Sequence, residues 1–310
     1  MRIHNIEPGR DTLHGAFFRD IPPALTIDSG DTVIFGALES GWNIEPPEPG
    51  GDEHLFEDYR PEWRGDGHAL CGPVAVRGAG PGMTLEVRIG ELRPGTWGQT
   101  FAGGTRRELN RRLRIESLDE RLIWTLDPDA MTARDQHGHT VALRPFMGVM
   151  GMPPDEPGAQ STIPPRATGG NIDCKELVPG SSLFLPVAVD GGLFSVGDGH
   201  GAQGDGEVSG TAIECPMERV ELTFRVRDDM RLGAPRALTP AGWISFGFHR
   251  NLDEAMASAV DGMLDLIQGM FDLERGAAMA LASVAVDLRV TQVVNQVQGV
   301  HAILPHGAIR

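Results

Sequence analysis

The sequence predicts a mainly β protein of the α+β class, with a multi-stranded sandwich or barrel-like core, a C-terminal pair of helices and closing strands. Glycine and proline provide 41 and 23 of the 310 residues. They separate short apolar segments, which is typical of proteins with many strands. Polar and apolar residues alternate from residue 84 to residue 89, the period of a half-buried strand. Apolar residues recur with helical spacing between residues 252 and 267, so the helices come late in the chain.

The predicted strands are short segments bounded by glycine or proline. They occupy residues 22–35, 73–90, 183–196, 210–214 and 220–226. The first three segments each contain a turn and therefore predict a pair of strands. In the third segment, Asp190 and two glycines form the turn of a predicted hairpin.

In the C-terminal fifth of the chain, the apolar residues change from a strand pattern to a helical pattern. Its periodic segment predicts an amphipathic helix capped by Asn251 or Asp253. A second helix is predicted over residues 273–286. Closing strands are predicted at residues 289–294 and 299–305.

Two segments rich in proline and glycine, residues 43–67 and 147–170, predict irregular excursions. The second is either the passage between two regions or a loop over the candidate site. If it is the passage between two regions, an N-terminal β-rich region covers residues 1–147. A second region, residues 148–310, then carries the candidate site and the C-terminal α/β segment. Tight packing of the two as one domain is the alternative.

Composition excludes several classes of protein. A formal net charge of −16 argues against a general nucleic-acid binder, because phosphate backbones require a basic surface. No apolar run approaches the roughly 20 residues of a membrane span, and the N-terminus lacks the apolar core of a signal peptide. Cys71, Cys174 and Cys215 include no Cys-x-x-Cys pair. This pattern suits a reducing compartment, so we expect a cytoplasmic protein without nucleic-acid or membrane partners.

The segment from Phe194 to Glu207 has the highest density of potential ligands. Between Asp198 and Glu207 it places two aspartates, one histidine, one glutamine and one glutamate, mostly separated by glycines. Glycine allows the backbone to approach a ligand closely. Oxygen ligands with one imidazole suit a divalent cation such as zinc, manganese or calcium. A flexible acidic surface loop is the alternative.

A second acidic position precedes this segment. Asp173 follows two glycines and an asparagine, and lies 25 positions before Asp198. The predicted hairpin between them would return the chain to its origin and bring the two acids together. The alternative for Asp173 is a turn residue. His68, just before a predicted strand, is either an acid–base group or ligand, or a loop histidine.

Two cysteines raise the question of a nucleophile. Cys71 and Cys174 are the candidates, and Cys174 is followed by Lys175 and Glu176. A thiolate nucleophile needs an oriented base and an oxyanion site, which neighbouring positions in sequence do not establish. Buried, inert thiols are the alternative.

Taken together, these segments resemble the metal-dependent acetamidase/formamidase family. The resemblance covers nearly the whole chain and rests on residues 68–87, 144–151, 169–173, 196–207 and 283–295. Its most specific part is Gly-Asp-x-His-x-x-Gln-Gly-Asp-Gly-Glu, which ends at Glu207. The sequence departs from the family after His68, where Ala-Leu-Cys-Gly replaces an expected proline and threonine.

The resemblance implies hydrolysis of small aliphatic amides, a largely β fold and a homo-oligomer. It implies metal or active-site roles for Asp173, Asp198, His200 and Glu207, with His68 close by. In the mechanism that we expect, the first three hold the metal, with zinc preferred over calcium or manganese.

In the same mechanism Glu207 is the general base and acid, with His68 as a further catalytic residue. Gln203 or a glycine N–H would bind the substrate carbonyl oxygen. A β-rich metal- or ligand-binding protein without turnover, and a cysteine-dependent amidase, are the rival hypotheses.

Overall fold

The computed structural model describes residues 1–47, 54–56, 65, 67–104 and 108–310. The strands are β1 (Ile3–Ile6), β2 (Leu13–His14), β3 (Ala16–Phe17), β4 (Leu25–Ile27), β5 (Thr32–Ala37), β6 (Leu70–Val76), β7 (Thr84–Pro94), β8 (Trp97–Gly103), β9 (Asp119–Asp127), β10 (Thr132–Asp135), β11 (Thr140–Ala142), β12 (Phe146–Gly151), β13 (Gln160–Ser161), β14 (Gly169–Asn171), β15 (Ser182–Pro186), β16 (Phe194–His200), β17 (Met217–Arg227), β18 (Arg236–Thr239), β19 (Gly242–His249), β20 (Asp287–Asn295) and β21 (Val297–Pro305). The helices are α1 (Glu108–Leu113), α2 (Leu252–Phe271) and α3 (Arg275–Ala285). The predicted mainly β class with a late helical pair and closing strands is confirmed. Much of the predicted excursion over residues 43–67 lies outside the described residues.

Two large sheets form the body of the protein. The nine-stranded sheet has the order β1-β5-β17-β7-β15-β18-β19-β21-β20. The six-stranded sheet has the path β14-β12-β16-β6-β2, with β4 also paired to β6. Smaller sheets are formed by β11-β10-β9-β8 and by β13-β3. The nine-stranded sheet takes strands from both predicted regions, and the division after residue 147 stays a prediction.

The main hydrophobic core fills the space between the two large sheets. Phe35 and Phe224 enter it from the nine-stranded sheet, and Phe194 enters it from the six-stranded sheet. The ring of Phe224 lies 5.0 Å from that of Phe194 and 6.5 Å from that of Phe35, both in edge-on arrangements. All three side chains are fully buried. This face-to-face packing is the sandwich that the sequence predicts.

The hairpin predicted over residues 183–196 is wrong. Strand β15 pairs with β7 and β18 in the nine-stranded sheet, whereas β16 pairs with β12 and β6 in the six-stranded sheet. The connection at residues 187–193 therefore crosses between the sheets. Alternation and turn residues identify strands but do not specify their partners. The strand predicted at residues 210–214 is also wrong, because within it Glu214 makes only isolated bridges.

The C-terminal helices cover one end of the nine-stranded sheet. Asn251 caps α2 as predicted, and its side-chain oxygen accepts a hydrogen bond from the Asp253 amide at 2.8 Å. Ala255, Ala259 and Met263 on the buried face of α2 pack in one cluster with residues of β21. Among the described residues, no helix combines the length and apolar character that crossing a bilayer requires.

Candidate active site

Asp198 and His200 lie at the C-terminal end of β16. Residues two apart on a strand point to the same side, and both side chains are buried, with 3% and 1% of their surface exposed. The His200 ring packs edge-on against Phe146 at 5.0 Å. The sheet interior therefore positions an acid and an imidazole together.

Asp173 joins them through β12, which lies between β14 and β16 and pairs with both. The chain leaves β14 two residues before Asp173, and the amide of Ile172 donates to the Gly148 carbonyl oxygen at 3.0 Å. Asp173, Asp198 and His200 each offer a ligand atom within 4.8 Å of the others. The structure thus brings together the three predicted metal ligands. The three residues meet because β14 and β16 share β12 as a neighbour. The predicted hairpin does not bring them together.

A second group shares the same imidazole. Potential ligand atoms of His200, Glu207 and Glu214 also lie within 4.8 Å of one another. The loop that carries Glu207 is held against β20, because the Gly206 amide donates to the Thr291 carbonyl oxygen at 3.0 Å. The two groups together place four carboxylates around one buried histidine.

Three of these residues have left-handed backbone conformations. The φ angles are 53° at Asp173, 61° at Asp198 and 46° at Glu207. Such conformations are uncommon for residues other than glycine, and they concentrate at functional sites where the surrounding structure maintains them. The three carboxylates are therefore placed at a cost in backbone energy.

Gln203 sets the orientation of His200. Its Nε2 donates to the Asp173 carbonyl oxygen at 2.9 Å, so its Oε1 faces His200 Nδ1 at 2.8 Å. An amide oxygen only accepts hydrogen bonds, so Nδ1 carries the proton. Nε2 of His200 then faces Asp198 Oδ1 at 3.4 Å and Glu214 Oε2 at 3.3 Å. The substrate-binding role expected for Gln203 stays a prediction. Its Nε2 has a second N–H that could donate to a substrate.

Asp173 is held by an asparagine from β20. Its Oδ2 accepts a hydrogen bond from Nδ2 of Asn295, whereas its Oδ1 has no hydrogen-bond partner among the described residues. Gly148 leaves the space beside that atom open. A Cβ there would fall within 2.9 Å of Asp173 Oδ1, Asp198 Oδ2 and His200 Cε1.

The cluster has unusual electrostatics. Burial raises the pKa of Asp173 well above its ordinary value, and the Glu207 carboxylate adds to this shift. Burial likewise raises the pKa of Glu214 to about 8. Burial lowers the pKa of His200, but Glu214 and Asp198 outweigh it and hold that pKa well above the ordinary value. The cluster therefore needs bound protons or a bound cation to balance its buried charge.

His68 lies beside the cluster without belonging to either group. Its backbone N–H and its Nδ1 contact Thr162 Oγ1 at 3.0 and 2.9 Å. Burial raises the pKa of Asp198, but the imidazoles of His200 and His68 hold it below its usual range. The catalytic role of His68 stays a prediction.

The cysteines do not have the properties of nucleophiles. Cys71, Cys174 and Cys215 are buried and free. Burial raises the pKa of Cys71 and of Cys174 to about 12. A thiol with so high a pKa carries almost no thiolate near neutral pH, which argues against the cysteine-dependent hypothesis.

Sequence reasoning missed Glu214, Asn295 and Gly148. Glu214 lies between the buried residues Ile213 and Cys215, and an acid inside an apolar run is a signal of a buried polar role. A glycine within a strand, such as Gly148 in β12, signals close approach of another group. Asn295 ends a run of strand residues and gives no comparable signal.

A cavity of about 330 Å³ opens beside the cluster. Glu207 and Gln203 contribute to its lining, and Trp124, Val141 and Ile213 contribute apolar surface. Formamide and acetamide have only three and four non-hydrogen atoms, so a small amide fits with space to spare.

The residues present fit a divalent cation. The donor set combines carboxylate oxygens with one imidazole nitrogen, as divalent metal sites do. Asp173 Oδ1 and His200 Nε2 are buried and without hydrogen-bond partners among the described residues. The second ring nitrogen of His200 is hydrogen-bonded to Gln203, the arrangement that orients histidine ligands in metalloproteins.

The fold and this cluster define a mainly β protein with a buried carboxylate–imidazole centre. The chain belongs to the acetamidase/formamidase family, whose model matches residues 4–158 and 155–307.

Individual relatives agree with this assignment. A formamidase from Methylophilus methylotrophus is 52% identical, over 64% of this chain and 60% of the relative. The acetamidase structure from Yersinia enterocolitica has a TM-score of 0.85 at 25% identity, and covers 99% of this chain and 93% of that one. The acetamidase structure from Bacillus halodurans has a TM-score of 0.82 at 25% identity, and covers 98% and 97%. The chain spans about 60% of the length of the formamidase relatives.

Proposed function

We propose that this protein is an amidohydrolase that cleaves the C–N bond of small linear amides to a carboxylate and ammonia. Formamide and acetamide are the first candidate substrates. The observation that carries the proposal is the buried group of Asp173, Asp198 and His200 beside the cavity at Glu207. Membership of the family and its relatives named formamidase and acetamidase support it.

Asp173, Asp198 and His200 would hold a divalent cation, with zinc as the first candidate and calcium or manganese as alternatives. When bound, such a cation lowers the pKa of a coordinated water and polarises a carbonyl group. Glu214 faces His200 Nε2 at 3.3 Å and is a further candidate ligand.

Glu207 supplies the proton transfers. Its carboxylate accepts a proton from the attacking water as the C–O bond forms, and delivers it to the amide nitrogen as the C–N bond breaks. Water thus provides the hydroxyl of the acid, and the nitrogen leaves as ammonia. One Gln203 N–H or a glycine N–H stabilises the oxyanion.

The test combines elemental analysis with ammonia release from formamide, acetamide and propionamide. We expect about one metal ion per chain and ammonia from at least one amide. Asp198→Asn and His200→Ala should lose both metal and activity. Asp205→Asn is the matched control, since Asp205 lies in the same loop but outside both groups and pairs with Lys175. Metal without ammonia from any amide would favour the binding protein without turnover.

The role of Glu207 needs its own variant. Glu207→Gln keeps the shape of the side chain and removes the base. If Glu207 is the base, the metal content stays and the rate of ammonia release falls by about 10²–10⁴-fold. Loss of metal together with activity would instead make Glu207 a ligand.

Location and assembly belong to the same proposal. A cytoplasmic location is supported by three free cysteines. A homo-oligomer is supported by apolar residues exposed on α3, where Met279 and Val284 expose 51% and 82% of their surface. Light scattering after size-exclusion chromatography tests the assembly, and a monomer at all concentrations would contradict it.

A further inference from the structure

A second cavity, of about 440 Å³, lies between α2 and the five residues that precede and begin β18. Residues 165–167, 232–236 and 245–248 line three of its walls, and α2 lines the fourth. It shares no lining residue with the cavity beside Glu207. Nothing in the proposed amide hydrolysis uses it.

Two arginines line this cavity and are only weakly engaged by the protein. Nη1 of Arg166 donates to the Pro164 carbonyl oxygen at 3.0 Å, and Nη2 of Arg236 donates to the Gly262 carbonyl oxygen at 3.5 Å. Within the described part of the chain, neither forms an ion pair with a carboxylate. A guanidinium has five N–H donors, so most of the donors of both groups have no protein acceptor there.

The acidic residues of the cavity wall form their ion pairs with another residue. Asp261 and Asp265 are both paired with Arg275, the latter at 2.8 Å. The wall hydroxyls are also engaged, since Ser245 donates to the Ala259 carbonyl oxygen at 2.6 Å. The cavity therefore presents two arginines that form no ion pair with the described residues, in a chain whose net charge is −16.

We propose that this cavity is an oxyanion-binding site, in which Arg166 and Arg236 together hold a small carboxylate or a phosphate. The planar fork of a guanidinium matches both anions through paired N–H donors. Two arginines that face one half-enclosed space repel each other unless an anion lies between them.

The electrostatics agree with this geometry. Burial lowers the pKa of both guanidinium groups below the ordinary value for arginine. The carboxylates of Glu156 and Asp265 oppose this shift only in part. A bound oxyanion would supply the missing counter-charge.

The first test is titration calorimetry on the full chain with sodium phosphate and with sodium formate, at constant ionic strength balanced with chloride. We expect saturable binding. Arg166→Gln and Arg236→Gln should each weaken it by about tenfold or more, and the double variant should abolish it. Arg225→Gln, an exposed arginine on β17 outside the cavity, is the matched control and should bind as the wild type does. Wild-type affinity in the double variant, or no saturable binding by the wild type, overturns the proposal.

The two probes also distinguish a phosphate ligand from a carboxylate ligand. Tighter binding of phosphate identifies a dianion site, and tighter binding of formate identifies a carboxylate site. Formate could also bind at the candidate active site as a product, so the titration is repeated in His200→Ala. Retained binding in that variant supports the cavity, and its loss overturns the assignment.

A measurement on the wild-type protein covers the case in which the variants do not fold. Phenylglyoxal modifies accessible arginines, and mass spectrometry locates the modified residues. Phosphate should protect Arg166 and Arg236 at concentrations that leave Arg225 reactive. Equal labelling with and without phosphate contradicts the site.

Discussion

Gln203 Oε1 lies 2.8 Å from His200 Nδ1, while Nε2 of the same amide donates to the Asp173 carbonyl oxygen at 2.9 Å. One side chain thus fixes the imidazole relative to the backbone of a second candidate ligand. Loss of such outer contacts lowers metal affinity by about 10–100-fold in metalloproteins.

We therefore expect Gln203→Ala to lower metal affinity by about 10–100-fold, because His200 loses the acceptor that selects its tautomer. Competition with a fluorescent chelator measures this. Gln203→Glu keeps an acceptor for Nδ1 and should recover part of the affinity. Gln160→Ala, on the edge strand β13, is the control. Unchanged affinity in Gln203→Ala would show that the contact does not orient the imidazole.

Gly148 provides the second prediction. A Cβ at this position would fall within 2.9 Å of the two carboxylates and the imidazole. Gly148→Ala should therefore displace these three side chains, empty the proposed metal site and destabilise the fold by about 1–3 kcal/mol, as overpacking does.

Gly204→Ala is the matched control for this variant, because no atom lies within 4 Å of the Cβ that it would add. Chemical denaturation and elemental analysis compare the two variants. Full metal content in Gly148→Ala would place the cation away from β12.

Much of the fold could be predicted because its elements carry local signals. The alternation in β7 and the helical period of α2 are properties of neighbouring residues, so both elements were found. The partners of β15 are not a local property. Its apolar residues suit burial in either large sheet, and the adjacent Asp-Gly-Gly sequence suits a crossover as well as a hairpin.

The same distinction applies to the candidate site. Asp198, His200 and Glu207 stand beside glycines, and Asp173 follows a pair of glycines by three positions. This pattern made them identifiable from the sequence. Asn295 reaches Asp173 across 122 positions, a contact that only the completed sheet brings about. Spacing in sequence contains no information about such a partner.

A third prediction concerns acid stability at the N-terminus. The Arg2 amide donates a hydrogen bond to Asp31, and His4 lies 3.2 Å from the same carboxylate. The Arg2 hydrogen bond, opposed by burial and supported by His4, lowers the pKa of Asp31 from 3.8 to about 2.

Because the pKa of Asp31 is lower in the folded state, its contribution to stability is present above pH 4 and is lost as the pH falls towards 2. Asp31→Asn cannot titrate, so its free energy of unfolding should be lower than that of the wild type at pH 5 and should fall less steeply between pH 4 and pH 2. Urea denaturation at several pH values measures both slopes. Asp190→Asn, an exposed position, should follow the wild type. Parallel curves for Asp31→Asn and the wild type would contradict the assignment.

The last prediction concerns the acyl group of the substrate and rests on the proposed amide hydrolysis. The cavity of about 330 Å³ beside Glu207 is larger than formamide requires, and Trp124 and Val141 give it apolar walls. Each methylene buried in such a pocket contributes roughly 1–3 kcal/mol. We therefore expect kcat/KM to rise about tenfold per added methylene from acetamide to butyramide.

Val141 offers the way to test this without touching the cluster, because it lies on β11 at the rim and exposes 37% of its surface. Val141→Trp should remove the gain from longer acyl groups and leave the rate with formamide within about twofold, since a tryptophan fills space that only longer chains occupy. Thr140→Trp places the same ring on the opposite side of the strand and is the control. If kcat/KM falls equally for all amides in Val141→Trp, the cavity is a route of access and not the acyl pocket. If kcat/KM falls for none of them, the acyl group binds elsewhere.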